Sequence, residues 1–172
     1  MMLRAATAAD LDAIMAIVAD AQRFLKESGV DQWQDGYPSP EIFAQDIENG
    51  ACMVCTVDDR VAGVIAVYFG PEACYAEVED GKWLTDDAPY AVFHRAAVAQ
   101  DYRGMGIAED MLSYAENFAR GHGFKSLRGD THHNNKAMRK LLEKQGFVHC
   151  GTIYLDNVKC LHNQRVCYEK QL

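Results

Sequence analysis

Residues 98–119 read VAQDYRGMGIAEDMLSYAENFA, an apolar run that ends in Arg103 and two close glycines before a long amphipathic pattern begins. Ile107, Met111, Leu112, Ala115 and Phe118 fall on one face at helical spacing, which predicts a helix over 104–120. A helix start presents backbone N–H groups without intrahelical partners and carries a partial positive charge. Gly104 and Gly106 remove the Cβ atoms that would hold an oxygen away from those groups. Arg103 adds a permanent cation. The expected guest is a phosphate or pyrophosphate. Each charge-assisted hydrogen bond contributes roughly 1.5–3 kcal/mol, whereas micromolar binding needs about 8 kcal/mol after ordering costs. The ligand therefore needs a second anchored part. The competing reading is a helix start with incidental glycines.

Two other phosphate motifs do not fit. A dinucleotide fingerprint would place its third glycine where Glu109 stands, and Ala99 to Tyr102 separate the strand from the glycines. No GK[ST] closes the loop, so a Walker site is absent, and a nucleotide-dependent oxidoreductase falls mainly on the missing glycine.

Composition sets outer limits. A chain of 172 residues suits a single domain, expected over 1–172, with a sizeable core. The net charge of −8 argues against a nucleic-acid surface, which needs a basic face, and suits a cationic substrate. No apolar run approaches the ~20 residues that span a bilayer. The N-terminal MMLRAATAADLDAIMAIVAD carries acids among its apolar residues, unlike a secretory signal. Cys52, Cys55, Cys74, Cys150, Cys160 and Cys167 are therefore expected as reduced thiols in a cytoplasmic protein. Cys52 and Cys55 lie in a strand pattern, where residues three apart face opposite ways, and Cys160 with His162 lacks a second pair. No metal is expected.

Thr7 and Asp10 form a capping box ahead of a long helix that closes near Gly29. Ser39-Pro40 opens a short helix that stops at Gly50. Strands follow near Cys52–Val57 and Val61–Phe69, joined at Asp58-Asp59-Arg60, then an irregular acidic connection over 70–88. PYAVFHRAAVA is the next strand and KSLRGDT another; Asn135 to Gln145 reads as a helix, and FVHCGTIYL and RVCYEK as closing strands. The order is strand, two helices, three strands, helix, strand, helix, two strands, which implies a partly parallel α/β sheet with antiparallel additions.

With these elements in place, RGMGIA resembles the R/Q-x-x-G-x-G/A motif of the Gcn5-related N-acetyltransferase (GNAT) superfamily, with Arg103, Gly106 and Ala108 at its fixed positions. NKAMRKLLEKQGF is similar to the second family motif through Asn135, Leu141, Gly146 and Phe147, and GDTHHNNKAM resembles a bacterial branch. The resemblance implies a GNAT-like mixed, splayed β-sheet flanked by helices. It implies acetyl-CoA as co-substrate, with its pyrophosphate on the N–H groups of Arg103, Gly104, Met105, Gly106, Ile107 and Ala108. The pantetheine arm would run beside Ala96, Ala97 and Val98, and Asn135 would lie toward the cofactor; by their place on the helix, Lys136, Arg139 and Lys140 could reach the ribose phosphate of CoA or only water. The expected reaction is direct attack on the thioester by the amine of a small molecule or peptide. A CoA-binding or sensing module without turnover is the alternative, and a homodimer is left open.

An alkylamine arrives protonated at neutral pH and must lose a proton. Imidazole suits that task, and His94 falls where arylalkylamine acetyltransferases carry a histidine implicated in it; the competing reading is a strand histidine bonded to a neighbour. By strand alternation, its side chain is expected on the face of Ala96 and Val98. Asp130 would orient His94 or hold an ammonium group. Many family members carry a tyrosine where Leu142 stands, which leaves the thiolate's proton donor unassigned, with Tyr154 a stand-in. Trp33, Tyr37 and Trp83 could stack on a cationic substrate or plug a core edge, and His132 could join them or simply face solvent.

Overall fold

The computed structural model describes residues 1–86 and 88–172; Asp87, part of the acidic run noted above, lies outside the described residues. The elements follow the anticipated order: β1 Met2–Ala5, α1 Leu11–Glu27, α2 Pro40–Glu48, β2 Cys52–Val57, β3 Arg60–Phe69, β4 Tyr90–Val98, α3 Ile107–Gly121, β5 Ser126–Thr131, α4 Lys136–Lys144, β6 Val148–Tyr154 and β7 Gln164–Gln171. The seven strands form one mixed sheet in the order β1-β2-β3-β4-β5-β7-β6. β1–β2–β3 is antiparallel, and so are the ladders of β7 with β5 and with β6. β4 and β5 are parallel over Tyr90–Val92 and Ser126–Arg128.

The chain divides into two compact units, Met1–Tyr68 with Phe93–Tyr114 and Phe69–Val92 with Ala115–Leu172. In the first, Ile14, Ile17 and Val18 of α1 and Phe43 of α2 pack with Cys52, Val54, Val64 and Ala97 from the strands. The α1 entrance follows its sequence signal: Thr7 N and Oγ1 both donate to Asp10 Oδ2, at 2.8 and 2.9 Å. Arg4 donates to both Asp10 oxygens, at 2.8 and 2.7 Å, and holds that carboxyl well below the usual carboxylate range. In the second unit, Tyr75, Val92, Cys150, Ile153 and Cys167 form the core.

Several boundaries differ from the sequence reading by a residue or more, and three of them have a local physical cause. β3 begins at Arg60 because Asp58 and Asp59 take φ of 48° and 61°, making a two-residue turn whose twist matches the strands. α3 begins at Ile107 rather than 104, because Gly104 and Gly106 have φ of 79° and 82° and a right-handed helix cannot include them. Asn135 stands just outside α4 as its cap, with Oδ1 accepting from Met138 N at 3.2 Å.

Cys52 and Cys55 do part to opposite faces. Cys52 joins the α1–α2 core, while Cys55 pairs with Gly63, whose missing Cβ would come within 2.9 Å of Ile107 on α3. All six cysteines are free thiols, and Cys160 is exposed. Burial pushes the thiols of Cys52, Cys74 and Cys167 up to about 12 and that of Cys150 up to about 11. A disulfide reagent at pH 8 is accordingly expected to label Cys160 within the mixing time of the native protein. The buried thiols should react only after denaturant is added; several fast equivalents without denaturant would contradict this packing.

Candidate active site

The entrance to α3 combines two backbone features. Gln100–Tyr102 form a turn of 3-10 helix, and Gly104 and Gly106 then carry the chain through left-handed conformations into Ile107. The N–H groups of Gly104, Gly106, Ile107 and Ala108 meet no acceptor among the described residues. A Cβ built on either glycine would find no protein atom within 4 Å. Protein packing therefore does not demand glycine here; the positive φ does, and the space beside the N–H groups stays open. Ile107 is buried and anchors the helix start, while Met105 points out at 57% exposure. Arg103 is exposed, with its guanidinium 4.6 Å from the Phe24 ring centroid and Nη2 donating to Asp20 O at 3.4 Å. Bare donors, a helix start and a nearby cation are the features by which a protein backbone holds an anion.

β4 carries His94, Ala96, Ala97 and Val98. Its alternation breaks at Arg95, which has a φ of 53° inside the strand. The expectation that His94 shares a face with Ala96 and Val98 therefore fails, because a left-handed residue between them rotates the chain out of period two. Ala97 is buried in the first core; Ala96 and Val98 are half-buried. His94 lies edge-on to Tyr68, with ring centroids 5.7 Å apart.

Behind His94 is a buried polar cluster that the sequence reading missed. Arg95 Nε donates to Asp46 Oδ2 at 2.8 Å and Nη1 to Tyr37 Oη at 2.8 Å, while Nη2 donates to Tyr68 Oη. The Tyr68 hydroxyl in turn donates to Asp46 Oδ1. The Arg95 and Asp46 side chains are 9% and 3% exposed. Burial, with the bond to Asp46, raises the Tyr68 hydroxyl well above the ordinary phenol range. A signal existed: Asp46 follows Phe43 by three residues on the apolar side of α2, and a charge there needs a buried partner. Tyr37 thus spends its hydroxyl on Arg95, and Trp33 packs against the core at the edge of α1 and α2.

In the second unit the acidic connection is tied down rather than merely solvated. Glu169, fully buried on β7, accepts from Leu84 N at 2.5 Å, Thr85 N at 3.2 Å and Arg128 Nε at 3.0 Å. Arg128 Nη2 donates to Thr85 O at 2.7 Å, and its guanidinium sits 4.2 Å from the Trp83 centroid and 3.9 Å from that of Tyr90. Trp83 Nε1 donates to Tyr75 O at 2.8 Å. Trp83, Tyr90, Arg128 and Asp86 line an open polar depression, so Trp83 borders a pocket while holding a structural arginine. Gly81 approaches the sheet so closely that a Cβ would come within 2.0 Å of Cys150 O.

Asp130, at the end of β5, accepts from the Tyr75 hydroxyl at 2.8 Å. His132 is 5% exposed, which rules out the alternative of a solvated loop histidine: it accepts at Nδ1 from Asn134 N at 3.1 Å and stacks on His133. Arg139 donates to Tyr168 Oη and to His133 O, both at 3.1 Å, and Lys140 is exposed. Leu142 is fully buried, so its position on α4 offers no proton donor. Tyr154 bonds Glu79 beside Lys159. Among the described residues no cluster of His, Cys, Asp and Glu could hold a metal ion, and no helix is long and apolar enough to cross a membrane.

An open mixed sheet with this glycine entrance to its main helix is the architecture of an acetyltransferase. A family model described as the acetyltransferase (GNAT) family matches residues 15–147, well over half of the chain. This chain belongs to that family. A GNAT-family acetyltransferase from Streptococcus agalactiae is 34% identical with a TM-score of 0.88, over 99% of this chain and 95% of that one. A ribosomal-protein-alanine N-acetyltransferase from Brucella melitensis is 24% identical with a TM-score of 0.71, over 100% of both chains. A candidate acetyltransferase from Salmonella typhimurium, crystallised with acetyl-CoA, is 19% identical with a TM-score of 0.68, over 99% of this chain and 93% of that one. At those two identities the likeness concerns the fold alone. Among curated proteins no match reaches significance.

Proposed function

We propose that this protein transfers the acetyl group of acetyl-CoA to the amine of a small molecule or peptide, by direct attack with both substrates bound. The observation that carries the proposal is the set of unpartnered N–H groups at Gly104, Gly106, Ile107 and Ala108, with no Cβ in front of them. They would hold the pyrophosphate, with Arg103 swinging onto it from Phe24. Acetyl-CoA supplies the activated acyl group. The family, and the acetyl-CoA found on the same fold in the Salmonella protein, support that choice of donor.

In this reading Ala96 and Val98 offer backbone N–H groups to the pantetheine arm and the thioester carbonyl, and the small side chain of Ala97 lets the ligand approach. His94 takes a proton from the substrate's ammonium group, freeing the amine lone pair that attacks the thioester carbonyl and expels the CoA thiolate. Asp130, held by Tyr75, would orient or attract the amine. For the acceptor the candidate contacts are Trp33 and Tyr37 in the first unit and Trp83 and His132 in the second; for the cofactor phosphates the further candidates are Asn135, Arg139 and Lys140. The Brucella protein's acceptor, a ribosomal-protein alanine, keeps peptide amines in range. A reducing, cytoplasmic setting agrees with the free cysteines. One observation favours a second reading, a CoA-binding module without turnover: buried Leu142 stands where many relatives place a tyrosine to protonate the leaving thiolate.

Thiol release from acetyl-CoA, followed across a panel of polyamines, amino acids, aminoglycosides and peptides, separates the two. His94→Ala is expected to lower kcat about 10²–10⁴-fold, the usual range for a general base, with acetyl-CoA affinity unchanged. Unaltered kinetics would remove His94 from the reaction. Binding without thiol release for every amine would favour the sensing module.

A further inference from the structure

Among the described residues, Arg95 is the one non-glycine with positive φ inside a strand. An arginine gains nothing locally from a left-handed backbone, which is held only where the surroundings over-determine it. Here they do. Each guanidinium nitrogen has its own oxygen: Asp46 on α2, Tyr68 on β3 and Tyr37 in the connection between α1 and α2. The bond between Tyr68 and Asp46 closes the ring, and the Arg95–Asp46 pair is nearly sealed from solvent. With the guanidinium fixed at three points, the peptide planes on either side of Arg95 are fixed too. One leads back to His94, and the other carries the N–H of Ala96.

We propose that Arg95 is a positioning residue: anchored by Asp46 and Tyr68, it sets the aim of His94 and of the Ala96 N–H, and through Tyr37 it couples them to the α1–α2 connection. The proposal rests on the acetyl-transfer reading for its kinetic consequences but not for its structural ones. Tyr37 is suited to report on the connection. Its ring is 36% exposed, its carbonyl accepts from Gln22 Nε2 at 3.2 Å, and Gln34 Nε2 donates to Gln22 O at 3.0 Å. An acceptor that displaces this connection would pull on Arg95 through a single bond. Lysine keeps the charge but loses the fork that reaches three oxygens.

The test compares wild type, Arg95→Lys and Tyr37→Phe, each checked for a native melting transition. Each is measured for acetyl-CoA affinity, for kcat and acceptor KM, and by NMR for the Ala96 amide and the His94 ring. Arg95→Lys should lower kcat about 10–100-fold, the scale of a lost charge-assisted hydrogen bond, with a smaller, several-fold loss of acetyl-CoA affinity through the Ala96 N–H. Tyr37→Phe, which removes one hydroxyl from an exposed ring, should raise acceptor KM several-fold and shift both NMR signals while leaving the fold intact. Unshifted Ala96 and His94 signals in folded Tyr37→Phe and Arg95→Lys would overturn the proposal. So would a kcat loss in Arg95→Lys that merely tracks the fraction of folded protein. Shifted signals in a protein that acetylates no amine would uphold the coupling and defeat the acetyl-transfer reading instead.

Discussion

Glu169→Ala is expected to lower the thermal midpoint by about 10–15 °C at pH 7. The substitution deletes a fully buried carboxylate and strands the Arg128 guanidinium, itself 5% exposed, between Trp83 and Tyr90. Removing one partner of such a pair costs about 3–5 kcal/mol, because the remaining charge stays buried. For a domain of this size each kcal/mol is worth roughly 2–4 °C. The same change removes the acceptor for Leu84 N and Thr85 N, so the connection over 83–86 should loosen from the sheet. Replacing both members, as Arg128→Met with Glu169→Leu, should recover much of the loss. A drop below about 3 °C in Glu169→Ala would refute the clamp.

The pair also has a pH signature. Burial pushes the Glu169 carboxyl up, but bonds from Ser126, Thr85 and Arg128 outweigh it and hold the group below its ordinary value. A folded-state value below the unfolded one means that stability is fully present above the unfolded carboxylate pKa of about 4.3 and is lost as pH falls through the folded value. Melting curves taken downward from pH 6 should therefore show a wild-type loss that is smaller in the Arg128→Met, Glu169→Leu protein.

The second large effect concerns the proposed anion site. Gly106→Ala and Arg103→Glu should each reduce acetyl-CoA affinity about 100-fold or more by calorimetry, with little loss of fold. At Gly106 a methyl group meets no protein atom within 4 Å, so the stability cost is left-handed strain alone, about 1–2 kcal/mol. A diphosphate bound as proposed would meet that methyl group directly, and each displaced charge-assisted bond forfeits roughly 1.5–3 kcal/mol. Arg103→Glu adds repulsion at a side chain whose present contacts, Phe24 and Asp20 O, are peripheral. Affinities within twofold of wild type for both variants would show that the diphosphate binds elsewhere.

The order of the helices and strands was legible because, the short first strand apart, their signals are local. Thr7 and Asp10, Ser39-Pro40, the period of Ile107, Met111, Ala115 and Phe118, and the β-rich runs each declare an element within a few residues. The glycine entrance was legible only in part: the missing Cβ atoms can be read from the residues, whereas the positive φ at Gly104 and Gly106 that delays the helix to Ile107 cannot, because glycine permits either sign of φ. What misled was regularity. Period two carried His94 onto the face of Ala96 and Val98, and nothing near Arg95 announces a left-handed residue, because its cause lies on α2, on β3 and in the α1–α2 connection. For His132 the loop left a site role and solvent both open, and its burial removes the second.

By itself, then, the sequence determined the elements, the sheet's mixed character and the place where glycines open the start of α3, since each depends on contacts within a turn or two of chain. Only the tertiary structure decided where charge could be buried. Arg128 meets Glu169 across 41 residues and Arg95 meets Asp46 across 49. A buried charge is tolerable only beside its partner, and no local pattern says which distant strand or helix brings that partner home.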